Sequence, residues 1–199
     1  MSTKEVVLKR MFDFLVSLVA LVLFLPIIIL CWVLATIDTR SNGFFIQQRV
    51  GKNGKLFRVF KIKTMSNAGD KRRSSISLSN MNEITRLGAC FRKYKLDELP
   101  QLYNVLIGDM SFVGPRPDVP GYADSLIGDD RIILSIRPGI TGPASIKYKN
   151  EEYILAKKKD PKKYNDNVIW PDKVKLNKQY ITNYSFIMDL HYILKTIKG

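Results

Sequence analysis

The chain opens with a long run of apolar residues and continues as a mixed polar and apolar sequence. Residues 14–37 are 24 consecutive positions without a charged side chain. At about 1.5 Å per residue, a helix of that length would reach ~36 Å, enough to cross a hydrocarbon core of ~30 Å. Pro26 lies in the middle of the run and predicts a kink, because proline lacks a backbone N–H and clashes with the preceding turn. Each half alone is too short to cross.

The charges around this apolar run bear on its topology. Lys4, Lys9 and Arg10 precede it, and nearly all of the formal net charge of +14 lies after residue 40. Because positively charged flanks favour the cytoplasmic side, both ends are drawn to that side. A full span and a re-entrant helix pair are both compatible with the residues, and the charges favour the re-entrant pair. A cleaved signal peptide is disfavoured, since the run exceeds the usual ~7–15 apolar residues and lacks an A-x-A-like cleavage site.

The pattern after residue 40 predicts a small domain with one β-hairpin and several helices. Alternating β-branched and aromatic residues predict strands at 44–48 and 56–64, joined by a turn at 51–54, with Lys61 and Lys63 on one face. Apolar residues at helical spacing predict helices over 83–94, from residue 100 onward and over 177–197. The last of these is expected to pack on the core, with a position on the membrane as the alternative. Residues 67–82 are polar and are expected to form a loop.

Composition narrows the chemistry that is available. A basic domain beside an apolar segment points first to anionic lipid or a phosphorylated substrate, and second to nucleic acid. Cys31 and Cys90 lie too far apart in the chain for a metal-binding or disulfide framework and are expected to be reduced thiols. His191 is the only histidine in the sequence, so a histidine-based triad or zinc site is not available. Acid–base or nucleophilic work therefore falls to carboxylates.

Asp97 and Glu98 are the carboxylates that stand out, because they are adjacent and directly precede an apolar helical pattern. At a helix N-terminus the helix dipole favours their ionised forms, so a capping pair and a catalytic pair fit the spacing equally well. Two rigid segments follow. Prolines flank Arg116 in the first, and Arg137 begins a glycine-containing turn in the second. Both segments are expected to be irregular. Each presents a guanidinium that is suited to phosphate recognition, with an ordinary surface turn as the alternative.

Four sequence motifs resemble those of the bacterial sugar transferases, the monotopic phosphoglycosyl transferases that begin surface glycan synthesis. These are Lys-Ile-Lys-Thr-Met (61–65), Leu-Asp-Glu-Leu-Pro-Gln-Leu-Tyr-Asn-Val-Leu (96–106), Gly-Asp-Met-Ser-Phe-Val-Gly-Pro-Arg-Pro (108–117) and Arg-Pro-Gly-Ile-Thr-Gly (137–142). The resemblance covers nearly the whole chain, including Lys-Arg-Met-Phe-Asp (9–13) and the proline-interrupted apolar segment. Residues 143–152 depart from the family pattern, so the identity of the sugar does not follow from the resemblance.

The resemblance implies a reaction and assigns roles to residues. It implies transfer of sugar 1-phosphate from a UDP-sugar to undecaprenyl phosphate, with release of UMP, at the cytoplasmic face of the bacterial inner membrane. Asp97 matches the catalytic nucleophile and Glu98 the adjacent Mg²⁺ ligand, which is consistent with the preference of Mg²⁺ for carboxylates and substrate phosphates. The candidate contacts to the diphosphate and the lipid phosphate are Lys63, Arg92, Arg116 and Arg137. Asp109 is expected to support these residues without contacting the phosphates itself. Pro26 is expected to break the membrane helix.

The sequence therefore predicts an α+β membrane-associated protein with two parts. Residues 1–40 are expected to form a proline-kinked re-entrant helix hairpin, and residues 41–199 a small, mostly helical catalytic domain with a short β-hairpin. The expected partners are a UDP-sugar, undecaprenyl phosphate and membrane lipid, without nucleic acid. Two other classes are weighed: a membrane-tethered basic module that binds anionic lipid or nucleic acid, and a noncatalytic membrane adaptor. Neither explains the carboxylate pair or the rigid arginine segments.

Overall fold

The computed structural model describes residues 1–66 and 84–198, so the predicted loop at 67–82 lies outside the described residues. Within that part of the chain, one long helix, several shorter ones and two small sheets confirm the predicted α+β class. The helices are α1 (Thr3–Thr39), α2 (Arg86–Lys93), α3 (Gln101–Ile107), α4 (Pro143–Lys147), α5 (Glu151–Ala156), α6 (Pro161–Tyr164), α7 (Trp170–Thr182) and α8 (Phe186–Lys198). The strands are β1 (Phe44–Val50), β2 (Leu56–Ile62), β3 (Ser111–Val113) and β4 (Gly139–Thr141).

The apolar segment forms a single helix, α1, that is long and apolar enough to cross a membrane. It begins with a capping box, in which Ser2 and Glu5 bond each other's backbone N–H, and it ends where Arg40 takes a left-handed conformation with φ of 49°. The helix continues through Pro26, so the predicted break into two helices is not confirmed. Since a proline removes one backbone hydrogen bond, the remaining bonds of the turns around it keep the helix continuous.

Both halves of α1 pack on the rest of the protein. In the first half, Arg10 donates two hydrogen bonds of 2.7 Å to the carbonyls of Val105 and Leu106 at the end of α3. In the second half, Cys31 and Ala35 are buried in a cluster with Ile62 of β2 and Phe91 of α2. The large apolar side chains on the other faces of α1 remain exposed.

The predicted β-hairpin is confirmed. β1 and β2 pair antiparallel from Phe44 opposite Ile62 to Val50 opposite Leu56. The connecting turn closes through a hydrogen bond from the Gly51 N–H to the Lys55 carbonyl, and Asn53 and Gly54 take left-handed conformations within it. β2 ends at Ile62, so the strand is shorter than the predicted segment and Lys63 lies beyond it.

A second sheet, which the sequence pattern did not predict, joins the two rigid arginine segments. β3 and β4 are parallel, with Ser111 opposite Gly139 and Val113 opposite Thr141. A Cβ atom on Gly139 would lie 2.1 Å from the Gly114 backbone nitrogen, so only glycine permits this approach. The expectation that these segments are irregular throughout is therefore wrong. Each strand has three residues and its partner lies far away in the chain, so neither leaves a local periodic pattern.

The single helix predicted over 177–197 is also wrong, because the chain forms α7 and α8 there, separated at Asn183–Ser185. The interruption allows hydrogen bonds from the hydroxyls of both Tyr180 and Tyr184 to reach the buried carboxylate of Asp189. The periodicity of apolar residues carries no information about these hydrogen bonds, so the break between the two helices could not be predicted from it. The main core lies between α7, α8 and β3, and its buried residues are Val50, Val113, Ala123, Ile133, Leu134, Val174, Tyr180, Ile181 and Tyr184.

Candidate active site

The two adjacent carboxylates lie in a tight turn between α2 and α3. This 3₁₀ turn spans Leu96–Glu98, and Lys95 before it has a φ of 58°, a left-handed conformation that redirects the chain after α2. The turn packs against β2, and Pro100 stands at the N-cap of α3. The predicted position of the pair at the beginning of a helix is thus close to the observed one, with the 3₁₀ turn in between.

Glu98 is held as a carboxylate by two cationic side chains. Its Oε1 accepts a hydrogen bond of 2.9 Å from Lys61 Nζ and one of 2.7 Å from Arg116 Nη2. Burial by itself opposes ionisation of Glu98, but Arg116 and Lys61 outweigh it and hold the pKa of this carboxyl far below its ordinary value. Glu98 therefore remains negatively charged across the physiological pH range.

Asp97 has the opposite environment. Its carboxylate is buried, and its Oδ1 has no hydrogen-bond partner among the described residues. Burial raises the pKa of Asp97, and the negative charge of Glu98 raises it further, while Lys61, Lys95 and Arg92 act against both. An ionisable oxygen that is buried without a donor is costly, which makes it a functional-site candidate. Asp97 thus has a buried carboxylate oxygen without a partner among the described residues, whereas Glu98 is engaged with Lys61 and Arg116.

The β3–β4 pairing explains how Arg116 reaches Glu98. Gly114 follows β3 and its N–H bonds the Thr141 carbonyl at 2.9 Å, so the segment that begins there is fixed to β4. Prolines on both sides then restrict the backbone around Arg116. The Arg116 side chain remains 45% exposed even though it pairs with Glu98. It can therefore contact a ligand and the carboxylate at the same time.

Two further predicted cations lie near the carboxylates or their supporting elements. Arg92 Nε donates a hydrogen bond of 3.0 Å to Thr64 Oγ1, and the Arg92 charge acts on Asp97. Lys63 Nζ donates a hydrogen bond of 2.6 Å to Ser41 Oγ, beyond the end of β2. Arg92 is thus placed beside Asp97, while Lys63 lies at the junction between α1 and the hairpin.

Arg137 and Asp109 lie at the other end of α3. Arg137 Nε donates a hydrogen bond of 2.6 Å to the carbonyl of Gly108, which follows the last turn of the helix. The backbone N–H of Asp109 bonds the Asn104 carbonyl at 3.0 Å in the same turn. Because α3 has seven residues, it separates these two residues from Asp97 and Glu98 by about 10 Å. The structure does not bring Arg137 or Asp109 into contact with the carboxylate pair.

Sequence reasoning missed three charged residues around Arg116 and Glu98. Lys61 was noted only as a neighbour of Lys63 on a strand face, yet Lys61 is the one that reaches Glu98. Burial lowers the pKa of Arg49, and the adjacent Arg116 lowers it further. Burial raises the pKa of Asp118 to about 6 against the opposing charges of Lys173, Arg49 and Arg116. The strand alternation was the one local signal available, and it could not choose between the two lysines.

The carboxylate pair can take part in binding a divalent cation but cannot form a complete protein site for one. No group of three or more His, Cys, Asp or Glu side chains comes together in the described ranges 1–66 and 84–198. The unpartnered Oδ1 of Asp97 and the adjacent carboxylate of Glu98 are hard oxygen ligands of the kind that Mg²⁺ prefers. Such a site fits Mg²⁺ that is shared between one or two carboxylates and the phosphates of a substrate.

The site combines two adjacent carboxylates with cationic side chains in a protein that carries a long apolar helix. Comparison with known proteins identifies its family. The sequence profile described as "Bacterial sugar transferase" matches residues 4–199, so the chain belongs to the bacterial sugar transferase family. The predicted enzyme class, a phosphoglycosyl transferase, is thereby confirmed. The alternative of a noncatalytic membrane adaptor does not account for this membership.

The relatives include proteins named for exopolysaccharide production and for sugar phosphotransfer. The chain is 33% identical to the exopolysaccharide production protein ExoY of Rhizobium meliloti, over 95% of this chain and 83% of ExoY. It is 32% identical to the undecaprenyl-phosphate galactose phosphotransferase of Salmonella typhimurium, over 96% of this chain and 40% of that protein. It is 30% identical to the UDP-N-acetylgalactosamine-undecaprenyl-phosphate N-acetylgalactosaminephosphotransferase of Aeromonas hydrophila, over 96% of this chain and 43% of that protein. The chain thus spans less than half the length of these two phosphotransferases.

Proposed function

We propose that this enzyme transfers sugar 1-phosphate from a UDP-sugar to undecaprenyl phosphate, as a membrane step of surface glycan synthesis. The observation that carries the proposal is the buried Oδ1 of Asp97, which has no partner in the part of the chain that the structure describes and lies beside a Glu98 that two cations keep ionised. The names of the Salmonella and Aeromonas relatives support the lipid acceptor, and the Aeromonas name also supports a UDP-sugar donor.

In the first step, an Asp97 carboxylate oxygen attacks the β-phosphorus of the UDP-sugar. The new bond joins that oxygen to the phosphorus, the bond from the phosphorus to the bridging oxygen breaks, and UMP leaves with the electron pair. Sugar 1-phosphate is then held on Asp97 as an acyl phosphate. In the second step, an oxygen of undecaprenyl phosphate attacks the same phosphorus and releases the Asp97 carboxylate. The two steps allow UMP to leave before the lipid reacts.

The other charged residues orient the phosphates and offset their charge. Arg116 is anchored on Glu98 but partly exposed, so it can bind a phosphate in bidentate fashion without losing its position. Arg92 lies on the Asp97 side and can take a second phosphate, with Lys63 as a further candidate. Glu98, with or without Asp97, would hold Mg²⁺ together with the substrate phosphates, and the ion would supply positive charge to the diphosphate of the UDP-sugar and to the departing UMP.

The packing of α1 supports a monotopic arrangement, and the basic charge of the sequence favours the cytoplasmic face of the inner membrane. The first half of α1 contacts α3, while the second half contacts β2 and α2 of the same body. A helix that crossed the bilayer fully would place one of these halves on the far side from the domain. The exposed apolar faces between and around these contacts, including Val22 at 67% exposure, are those that lipid would cover.

The reaction is tested by UMP release from the full chain in nanodiscs with Mg²⁺, undecaprenyl phosphate and a panel of UDP-sugars. We expect release with one or a few of the donors, dependent on the lipid phosphate and on the metal. Mass spectrometry of the extracted lipid should show an undecaprenyl diphosphate sugar. Folded protein that releases no UMP with any donor, or that releases it equally without lipid over many turnovers, would contradict the proposal.

The topology is tested by cysteine accessibility. In a background with Cys31→Ala and Cys90→Ser, we expect a membrane-impermeant maleimide to label Ser2→Cys and Ser41→Cys in inverted vesicles and neither in intact spheroplasts. Gln179→Cys, on the exposed side of α7, is the matched cytoplasmic control. Labelling of Ser2→Cys from the outside would establish a full span and remove the monotopic arrangement.

A further inference from the structure

Arg49, on β1, is a half-buried arginine to which the proposed function gives no role. Its Nη1 donates a hydrogen bond of 3.3 Å to the carbonyl of Pro117, and its Nη2 donates one of 2.6 Å to Oε1 of Gln47. Neither acceptor carries a charge, so the cost of removing this guanidinium from water is not offset by an ion pair with either of them. The Arg49 side chain therefore joins the β-hairpin to the backbone that directly follows Arg116.

The backbone around Arg116, residues 114–118, is held from two sides. β4 holds its beginning through backbone hydrogen bonds. β1 holds its end, because the Val50 N–H donates a hydrogen bond of 2.9 Å to the Asp118 carbonyl, next to the bond that comes from the Arg49 side chain. Arg116 thus lies between two anchored stretches of backbone, and Arg49 supplies a side-chain contact to the second of them.

Arg49 and Lys61 lie on the same face of the β-hairpin. Arg49 is opposite Phe57 in the antiparallel register, and Phe57 and Lys61 are separated by an even number of positions along β2. Directly opposed residues share a face of a sheet, and so do residues at even spacing along a strand. Lys61 reaches Glu98, and Arg49 reaches the backbone next to Arg116. One face of the hairpin therefore holds both members of the Glu98–Arg116 ion pair.

The charge of Arg49 also acts on the Arg116 side chain. Burial lowers the pKa of Arg49, the adjacent Arg116 lowers it further, and Asp118 and Glu98 act against both. Because like charges repel, Arg49 disfavours positions in which the Arg116 side chain turns back toward β1. The position in which Arg116 is paired with Glu98 is favoured as a result.

We propose that Arg49 is a positioning residue, which holds Arg116 in the orientation that binds a phosphate of the UDP-sugar. The inference rests on the proposed function, which supplies the diphosphate ligand. The Arg116 side chain is 45% exposed, so its bond to Glu98 leaves part of the guanidinium available to a ligand. Bidentate binding requires the guanidinium to be aligned with two phosphate oxygens, and a side chain that is already aligned loses less conformational freedom on binding. Arg49 acts through Arg116 and makes no contact with the ligand itself.

The experiment measures the affinity of UDP for the full chain in nanodiscs with Mg²⁺, by titration calorimetry, together with KM and kcat for a UDP-sugar that the parent turns over. We expect Arg49→Gln to weaken UDP binding by about tenfold and to raise KM by a similar factor, with a smaller change in kcat. Arg49→Lys keeps the charge but lacks the planar fork that reaches two acceptors, so it should still weaken UDP binding by at least about threefold. Arg58→Gln, at an exposed arginine of β2, is the matched control and should leave the affinity unchanged.

A double-mutant cycle with Arg116→Gln separates positioning from a general structural role. If Arg49 acts through Arg116, Arg49→Gln should weaken UDP binding by less than about twofold once Arg116 has been replaced. Equal losses on the two backgrounds would overturn the inference, because Arg49 would then act independently of Arg116. Full recovery of UDP binding in Arg49→Lys would also overturn it, since a positive charge without the fork would then suffice.

Gln47→Leu provides a second variant in case Arg49→Gln does not fold. It keeps Arg49 but removes the acceptor of its Nη2, so we expect UDP binding to weaken by about two- to threefold, with an unfolding midpoint that shows intact protein. Unchanged UDP binding in folded Gln47→Leu and Arg49→Lys would overturn the positioning role and leave the proposed function standing, provided that the parent binds UDP. A folded parent that binds no UDP would contradict the proposed function and this inference together.

Discussion

Replacing Asp97 with asparagine is expected to reduce UMP release by about a thousandfold or more, without lowering the stability of the protein. The activity falls because the amide cannot attack phosphorus and cannot carry the phosphosugar. The stability is kept because the change is nearly isosteric and removes a charge that is buried beside Glu98. The raised pKa of Asp97 gives the sign: its ionised form costs stability as pH rises through the folded-state pKa, and asparagine lacks that cost.

Two measurements check this prediction. The first is UMP release together with mass spectrometry of protein trapped with UDP-sugar alone, in which the phosphosugar adduct should be absent from the variant. The second is the unfolding midpoint, which should equal or exceed that of the parent. Asp129→Asn, a change at an exposed carboxylate outside the site, is the matched control and should leave both unchanged. Retained turnover would remove the nucleophile assignment, and lost turnover with a lower midpoint would indicate a structural role instead.

The pH dependence of activity follows from the same environment. Asp97 must be ionised to attack, and burial raises its pKa above the ordinary value of 3.8. The acidic limb of the pH profile should therefore lie above pH 3.8. Glu98 has a strongly depressed pKa and should contribute no limb in the accessible range.

The carboxylate pair shows how one short turn makes two chemically different acids. Asp97 is buried, and its Oδ1 has no donor within residues 1–66 and 84–198, whereas Glu98 accepts hydrogen bonds from two cations, so their pKa values move in opposite directions. Environments that separate the pKa values of neighbouring titratable groups are a usual sign of divided catalytic roles. Here the opposite shifts are consistent with the proposed roles, bond formation by Asp97 and electrostatic anchoring by Glu98.

The sequence predicted local features well and non-local ones poorly. The β-hairpin and the position of Asp97 before α3 follow from alternation, turn residues and helical spacing, which act over a few residues. The β3–β4 pair could not be predicted in the same way, because three-residue strands carry almost no periodic signal. The clearest sign of this pair in the sequence was the set of glycines in the two segments. Gly114, Gly139 and Gly142 all lie where a Cβ would collide with the backbone of the other segment.

The predictions for the site residues show the same difference between local and non-local features. Arg116 was predicted from the two prolines that flank it, and the structure places it on Glu98. Lys61 was passed over in favour of Lys63, because strand alternation gives both lysines the same face. Which lysine reaches Glu98 depends on where the 3₁₀ turn packs along β2, a tertiary contact that sequence spacing does not contain.

Replacing Lys61 with methionine is expected to lower the free energy of unfolding by about 2–3 kcal/mol at pH 7 and to slow turnover by about a hundredfold. Lys61 and Glu98 side chains are 22% and 12% exposed, so their ion pair is only weakly screened by solvent. Without Lys61, Glu98 keeps one cation instead of two, and Arg116 alone must hold its charge. Lys61 also favours the ionised form of Asp97, so its loss should raise the pKa of Asp97 and move the acidic limb of the activity profile upward.

The stability loss should depend on pH in a defined direction. The depressed pKa of Glu98 contributes stability that is present above its ordinary value of 4.5 and is lost as pH falls toward the folded-state pKa. The stability difference between parent and Lys61→Met should therefore shrink below about pH 4.5.

Denaturant unfolding of Lys61→Met, Glu98→Gln and the double variant measures the coupling, and Lys61→Met should cost much less on the Glu98→Gln background. Lys55→Met, at an exposed lysine just before β2, is the matched control, and additive effects with an unmoved acidic limb would show that Lys61 acts on neither carboxylate.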